Sequence, residues 1–366
     1  MVQAKTDSTD RSQMFYWQVD RPFDERQIKE VFLDRHQAFD HKLVAAMIES
    51  GMHQVGKTAA QAKVVELSEP IKSGSVNIVC PATLADATNV VIRIHPKEVR
   101  NGYFWSESVA ADAAREAGVP TYHTFFIDDT RKNFDYDYML IELLPGSNMK
   151  LGGPFSPKSD ARLIAETGRF LARIHTVKTK NYGFFDNNIA KKDRLLVGIH
   201  KKWRDHYFAA FVANLDYLTS NSVISAQDRV SIEKIISKHA SLINCESPRL
   251  VQNDLADWNE LTDGKHITGI LDWDECYSGD PVADFSAWSV FYPLERMEHL
   301  KRGYKSVNSL PEGFEEKLHI YRLRYIVSKM VVRKKKLVFQ KSYFVQQLLD
   351  YAQKILQYEF RWYGIK

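Results

Sequence analysis

Cysteine is scarce in this sequence, whose 366 residues include only Cys80, Cys245 and Cys276. Three thiols so far apart along the chain provide neither a disulfide framework nor the clustered spacing of a structural zinc site. The sequence also lacks an apolar run long enough to cross a membrane, and its first residues lack the apolar core of a signal peptide. We therefore expect a protein of the reducing cytoplasm that has no membrane partner.

The composition is that of a folded globular protein, with 44% hydrophobic and 26% charged residues. The length suffices for two domains or for one unit with two lobes. The net charge of +4 is unevenly spread: residues 301–366 hold 15 Lys and Arg against 5 Asp and Glu, whereas residues 254–284 hold nine Asp and Glu and one Lys. An acid-rich stretch of this kind is compatible with a metal site, a site for a cationic ligand or a solvated surface.

The densest basic run, RKKK at residues 333–336, lies inside a helical pattern. Such a run predicts a solvated helix face, because a nucleic-acid-binding protein needs a broader basic surface. We expect no nucleic-acid partner, and the sequence does not specify an oligomeric state.

The first part of the chain predicts a helical segment followed by a β-rich unit. A helical pattern extends from Pro22 to Ser50 and ends at Gly51, a residue type that is common at helix C-termini. Segments rich in β-branched residues then predict the order β-β-β-α-β-β, with the helix over residues 104–118. We predict an N-terminal segment over residues 1–62 and a small β-rich lobe over residues 63–147.

The remaining residues, 148–366, predict a larger helical lobe. Ser225 and Asp228 have the spacing of a capping box, which marks the start of a helix. Residues 248–285 interrupt the helical pattern with short strands and tight loops. The expected fold class is therefore α+β, with a small β-rich lobe and a larger α-helical lobe.

One short stretch, GMHQVGKT at residues 51–58, matches the phosphate-loop pattern G-x-x-x-x-G-K-[ST] at every fixed position. A phosphate loop has to leave a buried strand and open a helix. Here a helical pattern precedes the motif and a strand pattern follows it. We interpret the match as a helix end and a loop, with a P-loop nucleotide hydrolase as the less favoured alternative and Lys57 as the residue that separates the two.

The most informative stretch is RLVQNDLADWNELTDGKHITGILDWDECYSGDPVADFSAW, residues 249–288. Two short apolar strands, RLVQ and ITGILDW, with a turn at DGK, predict a hairpin that brings Asp254, Asn259 and Asp272 to one end. Two carboxylates and an amide oxygen are hard ligands that suit Mg²⁺. A metal-bound phosphate beside a spare carboxylate is what phosphoryl transfer to a hydroxyl requires.

This stretch resembles the aminoglycoside phosphotransferase/choline kinase group, which shares the protein-kinase-like fold. The signature of that group is H-x-D-x-x-x-x-N, a hairpin, [IV]-[IL]-D-[WF] and then G-D-P-x-x-D-[LF]. The chain matches this signature at Asp254, Asn259, Ile270-Leu271-Asp272-Trp273, Gly279-Asp280-Pro281 and Asp284-Phe285. It departs from the signature at Gln252, where the group usually has a His that shapes the loop. A Trp-Arg-Asp match that begins at Trp203 is similar to the hygromycin B phosphotransferase-like branch.

The resemblance implies a bilobal kinase-like fold and a role for each matching residue. Asp254 would accept or orient the proton of the attacking hydroxyl, and Asn259 and Asp272 would hold Mg²⁺. In the small lobe the resemblance implies a site for ATP or GTP formed by Ser75, Asn77, Arg93, Glu107, Glu142 and Leu144. In that site Arg93 takes the position of the family's strand Lys and pairs with Glu107. An arginine keeps the charge of a lysine but not its geometry.

Some of these residues also have structural interpretations. Arg93 is compatible with a strand residue whose charged end reaches solvent. Asp280 and Asp284 are expected to bond loop backbone, and His175 is expected to pack within its helix. Gln252 and Arg93 together leave open a second hypothesis, a pseudokinase or regulatory nucleotide-binding module that kept the fold.

The acceptor is the least defined part of the prediction. The resemblance implies Mg²⁺-dependent transfer of a nucleotide γ-phosphate to a hydroxyl of a small molecule. Asp274 and Glu275, in the acid-rich loop after Asp272, favour a cationic acceptor such as an aminoglycoside, and Trp203 is predicted to contact it. Antibiotic resistance is the biological role that such an acceptor would imply.

Overall fold

The structure is a computed structural model that describes residues 39–71, 77–97, 102–150, 156–339 and 342–365, without the side chains of residues 338 and 339. The chain forms a small lobe built on an antiparallel sheet and a larger lobe that is mainly helical. The predicted fold class is therefore confirmed.

An antiparallel sheet of five strands forms the small lobe. Its strands are β1 (Val64–Leu67), β2 (Ile78–Leu84), β3 (Asn89–Ile94), β4 (Thr124–Asp128) and β5 (Tyr138–Glu142). Their spatial order is β1-β2-β3-β5-β4. The helices of this lobe are α1 (His41–Gln54), α2 (Ala59–Ala62) and α3 (Phe104–Glu116).

Alternate residues of the central strand β3 face two separate apolar clusters. Val90 and Ile92 belong to the cluster that contains helix α1, whereas Val91 belongs to the cluster that contains helix α3. Successive side chains of a strand point to opposite faces, so Arg93 lies on the same face as Val91. This alternation places Arg93 on the face of the sheet that packs against α3, the helix that contains Glu107.

Helix α1 continues through Gly51, although the sequence pattern predicts a helix end there. Gly51 is buried, and a Cβ at this position would lie 2.7 Å from Leu140 Cδ1 and 2.8 Å from Phe126 Cδ1. Close packing of the helix on the sheet therefore explains this glycine. The helix ends at Gln54, and Gly56 takes the left-handed φ of +95°.

Helices make up most of the larger lobe. They are α4 (Pro157–Ile174), α5 (Asn187–Asp193), α6 (Trp203–Phe208), α7 (Phe211–Ser220), α8 (Ala226–Lys238), α9 (Val282–Trp288), α10 (Leu294–Lys305), α11 (Phe314–Phe339) and α12 (Tyr343–Trp362). The predicted capping box of Ser225 and Asp228 starts α8. Among the described residues no helix is both long and apolar enough to cross a membrane.

Two small sheets support the loops of the larger lobe. One has the order β8-β7-β12-β9 and consists of β7 (Tyr182–Phe185), β8 (Gly198–His200), β9 (Arg249–Val251) and β12 (Tyr277–Gly279). The other has the order β11-β10-β6 and consists of β6 (Ser147–Asn148), β10 (Glu260–Thr262) and β11 (Ile267–Ile270). The turn predicted at DGK joins β10 to β11. The predicted pairing of RLVQ with ITGILDW is wrong, because β9 pairs with β12 instead.

The domain limits remain a proposal. We propose residues 63–147 as the N-lobe and 148–366 as the C-lobe, with the limit inside β6, which pairs with β10 of the larger lobe. Residues 1–62 form the proposed N-terminal segment, whose helix α1 packs on the N-lobe sheet.

Candidate active site

A buried carboxylate holds the loop between β9 and β10 that carries Asp254. Asp284 accepts hydrogen bonds from the backbone N–H groups of Gln252 at 3.0 Å and Asn253 at 2.6 Å. His175 Nε2 lies 2.9 Å from the same carboxylate. The side chains of Asp284 and His175 are both buried. As expected, Asp284 bonds loop backbone and His175 packs in the core, so the loop backbone is fixed independently of the Asp254 side chain.

Asp280 supports the next turn of the chain in a similar way. Its carboxylate accepts the backbone N–H of Val282 at 3.0 Å, where α9 begins. It also accepts the hydroxyl of Tyr321 at 2.9 Å and the ammonium of Lys317 at 2.8 Å. The structural interpretation of Asp280 is therefore also confirmed.

Gln252, which stands where the family that the sequence resembles usually has His, links the segment that carries Asp254 to the segment that carries Asp272. Its Oε1 accepts the backbone N–H of Asp254 at 2.9 Å. Its Nε2 donates to the backbone carbonyls of Asp272 at 3.0 Å and Leu271 at 3.3 Å. Because both ends of the buried amide are used to shape the loop, Gln252 does not by itself favour an inactive protein.

The hairpin brings the three predicted chemical residues together. Asn259 Nδ2 donates to the carboxylate and to the backbone carbonyl of Asp254, both at 2.9 Å. The N–H of Leu271 donates to the carbonyl of Asn259 at 2.8 Å, which closes the hairpin end next to Asp272. Asp272 and Asn253 have left-handed φ values of 61° and 72°. Backbone held in this sparsely populated region clusters at functional sites.

Asn259 and Asp272 fit a hard divalent cation. Because Asn259 directs its Nδ2 at Asp254, its Oδ1 is the side-chain atom left for a cation. The Asp272 side chain is 40% exposed, so its carboxylate is open to a ligand. The described residues contain no group of three or more His, Cys, Asp or Glu that could hold a metal on its own. Mg²⁺ is usually bound through one or two carboxylates together with substrate phosphates and water, which matches this sparse donor set.

Arg93 connects the small lobe to this hairpin. Its Nη1 donates to Glu107 on α3, and its Nη2 donates to Asp272 at 3.2 Å. Glu107 also accepts the hydroxyl of Tyr122 at 2.5 Å. The side chains of Arg93 and Glu107 are 8% and 1% exposed. Burial opposes the charge on Arg93, but the carboxylate of Asp272 helps to raise the pKa of Arg93 above its ordinary value. Arg93 is therefore a buried, ion-paired residue, and the interpretation as a solvent-reaching strand residue is wrong.

Asn77 lies directly before β2 of the small-lobe sheet. Asn77 is buried, and its Oδ1 lies 2.6 Å from Nδ1 of His95. Burial and the nearby charge of Arg93 lower the pKa of His95 well below its ordinary value, so its ring is neutral. Ser75 lies outside the described residues. Contact of Asn77 with a nucleotide remains a prediction.

The end of β5 and the segment that follows it carry the two residues predicted at the nucleotide base, Glu142 and Leu144. The backbone N–H of Glu142 donates to the carbonyl of His123 at 2.9 Å, and the N–H of His123 donates to Glu142 Oε2 at 3.2 Å. The Leu144 side chain packs against β11, where a Cβ on Gly269 would lie 2.7 Å from Leu144 Cδ1. Both residues therefore lie at the connection between the lobes, where the resemblance implies that the base binds.

The three residues predicted to contact the acceptor are buried. Asp274, Glu275 and Trp203 are 7%, 9% and 4% exposed. Trp203 Nε1 donates to the hydroxyl of Tyr321 at 3.0 Å, and its ring packs beside Gly279. Trp203 is thus a core residue whose polar atom already has a partner, and we correct its assignment as a substrate contact.

Lys329 on α11 contacts the carboxylate of Asp254, although the sequence pattern does not reveal this contact. Its Nζ lies 3.2 Å from Asp254 Oδ1 and 3.4 Å from Glu275 Oε2. Lys329 is therefore shared between two carboxylates, and Glu275 is ion-paired within the protein, which weakens its support for a cationic acceptor. The only signal in the sequence is the excess of basic residues after residue 301.

The basic run at 333–336 is not a solvated face throughout. Arg333 is 5% exposed, and its Nη1 donates to the carbonyl of Leu348 on α12 at 2.8 Å. The three lysines that follow it are partly buried. The packing of α12 on α11 covers this part of the helix, which the local charge pattern does not reveal.

The stretch at 51–58 lacks the context of a phosphate loop. Helix α1, rather than a strand, leads into it. Lys57 Nζ donates to the carboxylate of Asp86 and to Thr88 Oγ1 at 2.9 Å, both in the turn between β2 and β3. The hydrogen bond from Lys57 holds the pKa of Asp86 at about 2. Lys57 therefore stabilises a surface turn.

The variant Lys57→Ala is expected to keep its nucleotide turnover within about twofold of the wild type, because substitutions away from the site have small effects. A P-loop enzyme would instead lose turnover, since the loop Lys binds the phosphates. The measurement is steady-state ADP formation by both proteins under identical conditions. A loss of turnover in a folded Lys57→Ala protein would move the nucleotide site to this loop.

Comparison with known protein families gives one match. The model of the phosphotransferase enzyme family, APH, matches residues 69–335 of the chain. No curated protein matches the sequence significantly.

Several solved structures are similar in fold. Aminoglycoside phosphotransferase APH(4)-Ia, in a ternary complex with AMP-PNP and hygromycin B, is 17% identical with a TM-score of 0.60, over 84% of this chain and 97% of that one. A protein assigned as a fructosamine-3-kinase from Thermobifida fusca is 17% identical with a TM-score of 0.59, over 86% and 98%. A protein assigned as an aminoglycoside phosphotransferase from Ralstonia eutropha is 15% identical with a TM-score of 0.61, over 88% and 98%. At these identities the likeness shows the kinase-like fold.

Proposed function

Because the chain belongs to the phosphotransferase enzyme family, we propose that it transfers the γ-phosphate of ATP, bound with Mg²⁺, to a hydroxyl group of a small molecule. One continuous set of contacts carries this proposal. It runs from Glu107 through Arg93 to Asp272, and Gln252 then links Asp272 to Asp254. Residues of the small lobe that would hold phosphates are thereby tied to the carboxylate that would receive the acceptor.

In this proposal Asp254 binds the acceptor hydroxyl and takes or orients its proton as the oxygen attacks the γ-phosphate. Asn259 and Lys329 each donate to one oxygen of the carboxylate, which fixes its orientation. Such positioning is the main contribution that a protein makes to phosphoryl transfer.

In this proposal the nucleotide lies beside β3. Arg93 would contact the α- and β-phosphates while Glu107 keeps it in place, and Ser75 and Asn77 would cover the phosphates. The backbone of Glu142 and Leu144 would bind the base. Asn259 and Asp272 would hold Mg²⁺, which neutralises charge on the phosphates. ATP is favoured because a protein of similar fold binds AMP-PNP, and GTP is the alternative.

An aminoglycoside is one candidate acceptor. Its support is that APH(4)-Ia, which has a similar fold, binds hygromycin B. The charge argument from Asp274 and Glu275 is weakened, because both are buried and Glu275 faces Lys329. A role in antibiotic resistance depends on this candidate alone. A cytoplasmic location, with ATP and reduced thiols available, agrees with the three free cysteines.

The experiment is a coupled assay of ADP formation with the full chain, in Mg²⁺ and in EDTA, against aminoglycosides, choline, amino sugars and neutral or acidic hydroxyl compounds. We expect at least one acceptor to stimulate ADP formation, only when Mg²⁺ is present. The stimulated product is then checked by mass spectrometry for one added phosphate. Nucleotide binding without stimulation by any acceptor would favour the pseudokinase hypothesis.

A further inference from the structure

Two cations lie one helical turn apart on α11, beside the loop of Asp254. Lys329 Nζ and Arg333 Cζ are each 5.4 Å from the centroid of the Phe291 ring. Residues four apart share one face of a helix. Because Lys329 also contacts Asp254, this face begins at the carboxylate proposed to bind the reacting hydroxyl and continues away from it along Phe291.

Arg333 is a buried cation whose charge is poorly matched. It is 5% exposed, and its Nη2 is buried without a hydrogen-bond partner among the described residues. Burial lowers the pKa of Arg333 to about 9, and the charge of Asp254 partly opposes this change. The guanidinium therefore remains charged at neutral pH. A buried charge without a close partner is unfavourable, and an anionic ligand would relieve that cost.

Aromatic rings line the same region. The centroid of the Trp258 ring lies 4.9 Å from that of Phe291 and 6.4 Å from that of Phe344. Lys150 Nζ lies 3.4 Å from the Phe344 centroid and adds a third cation. Phe344 is 41% exposed. Exposed aromatic surface beside cations suits a ligand that combines an apolar body with a negative charge.

We propose that Lys329, Arg333 and the rings of Phe291 and Trp258 form the acceptor subsite and select an acceptor that carries an oxyanion, such as a carboxylate, near its reacting hydroxyl. The inference rests on the proposed function, because Asp254 defines where the hydroxyl binds. Lys329 is shared with the carboxylates of Asp254 and Glu275, so Arg333 carries most of the preference. A polycationic acceptor would bring its charges against Arg333, and like charges in contact disfavour a ligand.

Three probes with the same benzyl alcohol body test the charge alone. They are 4-(hydroxymethyl)benzoate, 4-(hydroxymethyl)benzamide and 4-(aminomethyl)benzyl alcohol, which are anionic, neutral and cationic at pH 7. Their affinities for the full chain are measured by calorimetry in the presence of Mg²⁺ and AMP-PNP. We expect the benzoate to bind at least about tenfold more tightly than the amide, the order of one hydrogen bond to a charged group, and the cation to bind most weakly.

Substitutions in α11 then show which residues produce the preference for the benzoate. Arg333→Met is expected to remove most of the preference for the benzoate and Lys329→Met a smaller part of it, whereas Lys334→Met, which removes a cation from the same helix, keeps it. Arg333→Lys retains a charge and is expected to keep a reduced preference, which tests the charge even where the methionine variant does not fold.

The inference is overturned if the cation binds as well as the benzoate, if no probe binds, or if the preference survives in Arg333→Met. Binding of AMP-PNP is recorded separately in every protein. A wild-type protein that does not bind AMP-PNP would count against the proposed function. The order of the three probe affinities tests the proposed acceptor subsite separately.

Discussion

The variant Asp254→Asn is expected to lose acceptor-stimulated turnover by about 10²- to 10⁴-fold, the range for removal of a general base. Asparagine keeps the shape of the side chain but cannot take the proton of the acceptor hydroxyl. The loop itself should persist, because Asp284 and Gln252 bond its backbone independently of the carboxylate. Affinity for AMP-PNP is therefore expected to remain near that of the wild type.

The measurement is kcat of ADP formation with a stimulating acceptor, together with calorimetry of AMP-PNP. Asp257→Asn is the matched control, since it makes the same chemical change in the same loop at a carboxylate that pairs with Arg296. We expect this control to stay within about threefold of the wild type in kcat, as for a substitution outside the site. Equal turnover in wild type and Asp254→Asn would show that another residue receives the acceptor.

The variant Glu107→Gln is expected to lower the free energy of unfolding by about 3–5 kcal/mol, the cost of removing one partner of a buried ion pair. Among the described residues, glutamine leaves the buried Arg93 with one ion pair, to the carboxylate of Asp272 at 3.2 Å, and it leaves the hydroxyl of Tyr122 with a weaker acceptor. Arg93 would also lose its fixed position, so affinity for AMP-PNP should fall together with stability.

Urea unfolding followed by tryptophan fluorescence measures the stability change. Glu116→Gln on the same helix is the control, because Glu116 is exposed and a surface substitution usually changes stability by less than about 0.5 kcal/mol. If both variants unfold at the same urea concentration as the wild type, the ion pair of Arg93 and Glu107 does not hold the small lobe together.

The sequence predicts the part of the site that is local in the chain. Asp254 and Asn259 are five residues apart, and Asp272 follows after one hairpin, so turn signals and apolar strands suffice to bring them together. Arg93 contacts Asp272 across 179 residues, and only the resemblance to a kinase-like family indicates that contact.

Lys329 could not be predicted, because it lies 75 residues from Asp254 on a separate helix. No periodicity within a helix reveals which distant loop that helix meets. The errors at Gly51 and Trp203 have a related cause. A glycine that permits close packing looks like a helix end, and a buried tryptophan looks like a ligand contact, until tertiary neighbours are known.

Mg²⁺-dependent binding of AMP-PNP to the wild type and to Asp272→Asn tests most directly whether the Asp254, Asn259 and Asp272 hairpin is the nucleotide-metal site. Calorimetry in Mg²⁺ and in EDTA gives the four dissociation constants. The proposed site predicts that Mg²⁺ tightens binding to the wild type by at least about tenfold, and that Asp272→Asn loses most of this gain. Binding of AMP-PNP that is equally tight with and without Mg²⁺, and unchanged in Asp272→Asn, would contradict the assignment.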